Sequence, residues 1–296
     1  MSTVHVLANP AARKGRGAAH YAKVLDALRA HGAPFRELNA NSAADARAAL
    51  RPVVAVPGAR VVLVGGDGLV HLALQELATN DAVLGVIPAG SGNDFAHALG
   101  LDKGPLDEQI TRALGDDHPL DAIRAGTTWV ASVATVGFAA SVNARANALR
   151  WPRGGARYTL ATFAVLPRLR AVPLTLELDG EPTAVITTML AIANTSYFGG
   201  GMEICPDARP DDGLLDIAVI GDVRPLTLLR VFPKVFRGTH TAHPKCTMYR
   251  AKQVRLLDTS TELWGDGELV GPAPIALEAV AGAFRVAGVS PPKGTK

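Results

Sequence analysis

The chain has 296 residues, 30 Lys+Arg against 27 Asp+Glu for a formal net charge of +3, and 48% hydrophobic residues. A chain this apolar and this weakly charged buries enough surface to offset its ordering entropy, which excludes disorder, and 2 cysteines exclude a disulfide scaffold and point to a reducing, cytoplasmic setting. The near-neutral balance gives no reason to expect nucleic acid as a partner, and no apolar stretch approaches the ~20 residues of a membrane helix.

In chain order, residues 3–8 read as a strand ending at Asn9-Pro10, followed by a loop carrying Lys14, Arg16 and glycines. Residues 18–31 have helical spacing and stop at Gly32. Residues 35–38 form a short strand. Residues 42–50 are a helix with Ser42 as cap and Asp45 three positions on. Residues 60–64 are a buried-type strand running into Gly65-Gly66-Asp67-Gly68 and then a helix through Leu77. Residues 83–87 repeat the pattern, broken by Pro88 and followed by Gly90-Ser91-Gly92-Asn93-Asp94. Continuous apolar strands alternating with helices predict a parallel α/β sheet. After about Pro119 the pattern changes to short strands at 122–125, 129–136, 174–178, 185–193, 215–220, 253–257, 262–263 and 284–286, joined mostly by Gly/Pro turns. This predicts an antiparallel β-sandwich, interrupted by a helical insertion at 141–166. Two domains with a cleft between them, residues 1–118 and 119–296, are the expectation.

Four segments could carry chemistry. In the 61–77 segment a buried strand ends in three glycines around Asp67, and a helix begins at once. Glycines let backbone approach phosphate oxygens, and a helix N-terminus offers N–H groups to an anion. The same sequence is also compatible with an ordinary tight βα turn. It is neither a Walker A loop nor a GxGxxG fingerprint. The 84–101 segment repeats the arrangement, with Asn93 and Asp94 at the helix start, where Asp94 also reads as a helix cap. Two such loops at the same end of one parallel sheet favour a nucleotide across the strand ends. Lys14 and Arg16 are candidate phosphate counter-charges. In the 193–220 segment Gly199–Gly201 imply unusual backbone, and Asp207, Asp211, Asp212 and Asp216 crowd together in the manner of a hard-cation site or a surface turn. Residues 263–271 hold an Asp266-Gly267 hairpin signal with Glu268 directly after it, a candidate general base. His240 and His243 read as a surface loop rather than a metal pair, and Cys205 and Cys246 as idle or buried thiols.

Taken together, GGDG at 65–68, GSGNDFA at 90–96, YFGGGM…P…DDGLLD at 197–216 and GDGE at 265–268, in that order, resemble the diacylglycerol kinase catalytic-domain family. This family includes bacterial diacylglycerol kinases and the related sphingosine and ceramide kinases. Residues 120–138 resemble its domain-crossing strand pair. The resemblance runs from Asn9 to about Val286. It implies an N-terminal α/β domain akin to phosphofructokinase and NAD kinase, a C-terminal β-sandwich, ATP in the cleft, and a C-terminal segment folding back on the first domain. By the resemblance, Asn9, Gly65, Gly66, Asp67, Gly68, Gly90, Ser91, Gly92, Asn93 and Asp94 line the nucleotide, with Lys14 and Arg16 facing phosphates. Asp212, with the carbonyls of Arg209 and Leu214, holds a structural magnesium, and Asp216 lies near it. Glu268 takes the proton from the lipid hydroxyl, and Asp67 is a second catalytic carboxylate that serves magnesium. The sequence departs from the family at Leu69, where threonine is usual, and at Ala12-Arg13, where Ser-Gly is usual. Both changes touch phosphate contacts.

The expected activity is ATP- and magnesium-dependent phosphorylation of a lipid hydroxyl, diacylglycerol to phosphatidic acid first among acceptors. The alternatives are a non-catalytic nucleotide- or lipid-binding regulator and a kinase of a soluble substrate such as NAD. From Ala122 to Leu176 there is no acidic residue but there are seven arginines, Arg124, Arg145, Arg150, Arg153, Arg157, Arg168 and Arg170, with Trp151 beside Arg150. That composition suits peripheral docking on an anionic membrane or, equally, a solvated helix face. A membrane lipid substrate, a cytoplasmic location with peripheral membrane contact, and a homodimer complete the expectations.

Overall fold

The computed structural model describes residues 3–8, 16–149, 151, 155–258 and 261–289. The chain divides into two compact units, Met1–Asp121 with Ala281–Lys296, and Ala122–Val280.

The first unit starts with β1 (Val4–Ala8), α1 (Arg16–Ala30), β2 (Phe35–Leu38), α2 (Ala43–Val54) and β3 (Arg60–Gly65). It continues with α3 (Asp67–Leu77), β4 (Val83–Pro88), α4 (Asp94–Ala98), α5 (Leu106–Leu114) and the start of β5 (Asp117–Ala125). The strands lie in the order β2-β1-β3-β4, all parallel. β3 and β4 are covered on both faces, so their sequences run VVLVG and VLGVI without alternation. On one face Val24 and Leu28 of α1 and Ile110 of α5 pack with Val6, Val64 and Ile87. α2 and α3 pack on each other and on β3. The expected Ser42 cap is present: its side chain accepts the Asp45 N–H at 3.1 Å. α5 adds to the helices expected from the sequence.

The second unit holds β6 (Thr128–Val130), β7 (Val133–Gly137), α6 (Phe138–Ala148), α7 (Gly155–Val165), β8 (Val172–Leu178), β9 (Glu181–Thr187) and β10 (Met189–Ala193). After these come β11 (Tyr197–Phe198), β12 (Met202–Glu203), β13 (Leu215–Ile220), α8 (Pro225–Val235), β14 (Cys246–Ala251), β15 (Gln253–Leu256), β16 (Glu262–Gly265), β17 (Glu268–Pro272) and β18 (Ile275–Ala287). One antiparallel sheet has the order β14-β13-β10-β7-β16-β17. Facing it, β9, β8, β15 and the first half of β18 pair antiparallel in turn, and β5 pairs with β18 and β6. Ile123, Val130, Leu176, Ile192, Ile217, Leu263 and Leu277 form the core between the sheets. The last residues of β18 belong to the first unit, where Arg285 and Val286 pair in parallel with Val83 and Leu84 of β4.

An α/β parallel-sheet unit and an antiparallel β-sandwich are the fold class expected from the sequence. Several boundaries differ for identifiable reasons. The strand expected at 129–136 breaks at Ala131-Ser132, whose amides donate to the Asp266 carboxylate at 2.8 and 2.9 Å instead of to a neighbouring strand. The strand expected at 185–193 is two strands in different sheets. The chain turns the corner at Thr187 and Thr188, whose buried hydroxyls donate to the carbonyls of Ile220 and Gly221. The insertion at 141–166 is two helices, α6 and α7, and α8 and β14 add to the elements expected from the sequence.

Candidate active site

In the first unit the two glycine loops follow β3 and β4, which are adjacent, so parallel pairing alone places both at the carboxyl end of the sheet. They touch backbone to backbone. A β-carbon added to Gly66 would lie 2.9 Å from Gly90 Cα, and one added to Gly90 would lie 2.6 Å from Gly66 Cα. Only glycine permits this approach. Asn93, in the left-handed region with φ 58°, closes the second loop: its Oδ1 accepts the Gly90 N–H at 2.9 Å and its Nδ2 donates to the Gly90 carbonyl at 3.1 Å.

Asp67 opens α3 and joins the loops. Its Oδ1 accepts the Phe95 N–H at 3.0 Å, so it caps the start of α4 from another element. The helix cap expected of Asp94 is thus made by Asp67. Asp94 is buried, and Asp67 Oδ2 and Asp94 Oδ2 both border Gly92, at 3.0 and 3.7 Å from a β-carbon built there. α4 is seated by Phe95, whose ring lies 6.1 Å from that of Phe284 on β18, both fully buried. Gly65 is buried, while Gly68, Ser91 and Gly92 are exposed. A β-carbon on Gly68 would meet open space. Leu69 is buried, with its side chain folded onto Gly65. Asn9 and Lys14 lie outside the described residues, as does the side chain of Arg16, whose backbone starts α1. Two glycine loops in backbone contact beside a helix N-terminus, with two carboxylates at their edge, suit a nucleotide polyphosphate and its accompanying hard cation.

In the second unit Asp266 and Gly267, at φ 50° and 86°, turn β16 into β17 and present Glu268 as the exposed first residue of β17. The Asp266 carboxylate accepts both amides of the β6–β7 link, and Asn147 Nδ2 donates to the Gly267 carbonyl at 3.1 Å. Glu268 therefore stands on a turn clamped from two sides. The sequence showed Asp266 only as a turn residue, because its partners lie far back along the chain.

Gly199, Gly200 and Gly201 all have positive φ and join β11 to β12, where the Tyr197 hydroxyl donates to Glu203 Oε1 at 3.2 Å. The acidic segment follows. Arg209 pairs with Asp211 at 3.2 Å. Asp212 Oδ1 accepts the Leu214 N–H at 3.1 Å, and its Oδ2 is held by the Arg250 guanidinium, which also lies 3.4 Å from Asp216 Oδ1. Burial, more than the neighbouring Asp212 and Asp207, lifts the Asp216 carboxyl above the usual range, and Arg250 opposes the rise. Asp216 Oδ2 is buried without a hydrogen-bond partner. Among the described residues no group of three or more His, Cys, Asp or Glu side chains is placed to hold a metal ion. A structural divalent cation at Asp212 would require the Arg250 guanidinium to leave, so this arrangement does not fit one as it stands. No sequence motif connects Arg250 to the aspartates, which lie 34 and 38 residues before it. His240, expected on a surface loop, is buried with Nε2 3.1 Å from the Ile204 carbonyl. Both cysteines are free thiols, Cys205 buried.

Comparison with known proteins places these features in context. Residues 3–125 match the diacylglycerol kinase catalytic domain, and residues 132–288 match the YegS C-terminal NAD kinase beta sandwich-like domain. A diacylglycerol kinase of Mycobacterium tuberculosis (strain CDC 1551 / Oshkosh) is 39% identical over 298 residues, covering 96% of this chain and 94% of that protein. A crystal structure of a diacylglycerol kinase from Bacillus anthracis str. Sterne superimposes with a TM-score of 0.75 at 18% identity, covering 98% of this chain and 97% of the other. Yeast NADH kinase complexed with NADH shares the fold more distantly, with a TM-score of 0.51 at 9% identity over 98% of this chain and 84% of the other.

Proposed function

The chain belongs to the diacylglycerol kinase catalytic-domain family, and from that premise we propose that it transfers the γ-phosphoryl group of ATP to a lipid hydroxyl, with diacylglycerol as acceptor and phosphatidic acid as product. The observation that carries this reading is the pair of glycine loops in backbone contact, bordered by Asp67 and Asp94.

The first unit supplies the donor site. Gly65, Gly66, Gly68, Gly90, Ser91, Gly92 and Asn93 line the polyphosphate, and the N-terminus of α3 adds partial positive charge. Lys14 and Arg16 neutralise phosphate oxygens, and Asn9 borders the nucleotide. Magnesium bound with the nucleotide would be held by Asp67 and Asp94 and would spread charge over the phosphate oxygens. The second unit supplies the base. Glu268 accepts the proton of the lipid hydroxyl as its oxygen bonds to the γ-phosphorus and the bond to the β,γ-bridging oxygen breaks, releasing ADP. The exposed Glu268 suits an acceptor that arrives from outside, and the clamped turn limits the carboxylate's excursions. We further propose that the protein works in the cytoplasm at the membrane surface. Among the described residues no helix is long and apolar enough to cross a membrane.

The test is a lipid panel with ATP and magnesium, read by mass spectrometry of the products. Diacylglycerol should be converted, and Glu268→Gln should lower kcat by about 10²–10⁴ at unchanged ATP KM. Unchanged turnover in that variant refutes the base. No product from any lipid, with nucleotide still bound, favours the non-catalytic regulator suggested by Leu69. Phosphorylation of NAD instead of lipid favours the soluble-substrate kinase.

A further inference from the structure

α8 departs from the usual pattern of a surface helix, in which one face is apolar and covered. None of its residues is buried. Leu228, Val231 and Val235 form its inner edge, and Val235 packs against the cluster of Ile204, Cys205 and Ala218. A second apolar stripe faces outward: Leu226, Leu229 and Phe232, continued by Phe236 just past the helix end, are 68%, 43%, 38% and 45% exposed. At 100° per residue these four and Pro233 fall within an arc of about 120°. Phe232 and Phe236 hold each other in an edge-to-face contact, with ring centroids 5.4 Å apart. Arg230, Lys234 and Arg237, all exposed, occupy the adjoining arc. No acidic residue occurs from Val223 to Leu257.

We propose that α8 is a membrane anchor that lies in the plane of an anionic lipid surface, with the Leu226–Phe236 stripe in the acyl boundary and the cations among the headgroups. An apolar stripe of leucine and phenylalanine bordered by arginine and lysine matches this partner on both counts. Nucleic acid would leave the stripe in water. A second copy of the chain would set cations against cations. The anchor differs from the acid-free, arginine-bearing stretch from Ala122 to Leu176, the membrane contact that composition suggests. It concerns where the protein docks and does not depend on which lipid it phosphorylates.

The experiment is sedimentation of the full chain with vesicles of phosphatidylglycerol and phosphatidylcholine, or of phosphatidylcholine alone, without ATP. The wild type should bind the anionic vesicles and release them as salt rises. Leu229→Ser with Phe232→Ser should lower vesicle affinity at least tenfold with the melting temperature unchanged, because the replaced side chains are exposed. Arg230→Glu with Lys234→Glu should abolish the preference for anionic vesicles. Turnover of a short-chain acceptor dispersed in water should be the same in both variants as in the wild type. Failure of the wild type to bind vesicles overturns the proposal, as does wild-type binding by both variants, which would move the contact to the arginine stretch. A dimer in the wild type that Phe232→Ser dissociates would assign the stripe to a second copy and overturn it too. Because binding is read without nucleotide, it stands or falls separately from the kinase reading.

Discussion

Asp67 carries two duties on one carboxylate: Oδ1 caps α4 through the Phe95 N–H, and Oδ2 borders Gly92 beside Asp94. The duties separate by mutation. Asp67→Asn keeps an acceptor oxygen and should fold with nearly wild-type stability while losing at least a hundredfold in kcat. Asp67→Ala should lose the same activity and also about 1 kcal/mol of stability, the usual cost of a lost cap. Equal melting temperatures for the two variants would refute the capping role. Arg250 neutralises Asp212 and Asp216, a place that the family resemblance gives to magnesium. Arg250→Ala leaves those carboxylates without their cation, so its melting temperature should fall, and added magnesium should restore part of it. The wild type should gain much less at the same concentration. At His240 burial pushes the imidazole below its ordinary value, opposed only by the Ile204 carbonyl and Glu203. The unfolded chain therefore takes up this proton first as pH falls. The stability from a neutral His240 is complete above about pH 6.5 and is lost below it. Thermal scans of His240→Gln between pH 7 and 5 should show a shallower fall than the wild type.

Among the elements, the β16–β17 hairpin shows how a locally legible turn acquires a distant role. Asp266-Gly267 suffices for the turn, yet the Asp266 carboxylate also satisfies two amides 134 and 135 residues earlier. Asp266→Asn offers one acceptor oxygen where two are used, and Asp266→Ala offers none. Stability should fall in that order, by about 1–3 kcal/mol for alanine, measured by urea denaturation. kcat should fall as well, because Glu268 loses its fixed turn. α8 illustrates an element that sequence spacing did not reveal: apolar residues on both its faces blur the 3.6-residue period, and Pro233 reads as a breaker. The sequence at 129–136 and at 185–193 looks continuous as strand, because residue type carries no mark of a sheet change. Asp266 and the Thr187-Thr188 corner made those divisions.

Across the whole molecule, chain order and compact unit part company at the C-terminus. Ala281–Lys296 belong to the first unit, where Val286 continues the parallel sheet, Phe284 meets Phe95, the Asp121 carboxylate accepts the Gly282 N–H at 2.9 Å, and Arg285 pairs with Asp117. Deleting residues 281–296 exposes Phe95 and one edge of β4. The first unit should then lose protection from hydrogen exchange throughout β3, β4 and α4, and ATP binding should be lost with it. Protection in β10 and β13, which share the other unit's core, should persist. Uniform loss in both units would show that they fold as one.

By itself, the sequence determined the fold class, because unbroken apolar strands alternating with helices need cover on both faces, as in a parallel α/β sheet, and short strands joined by Gly/Pro turns pair antiparallel. It also marked the glycine loops, since close backbone approach restricts those positions to one residue type. Only the tertiary structure decided the partners: Asp67 rather than Asp94 as the cap of α4, Asp266 as a clamp, Arg250 on the aspartates, and an outward apolar stripe on α8. Periodicity and motif record what each residue needs locally. Which distant group meets that need, 28 residues away for Asp67 and 38 for Asp212, depends on chain paths that no local pattern encodes.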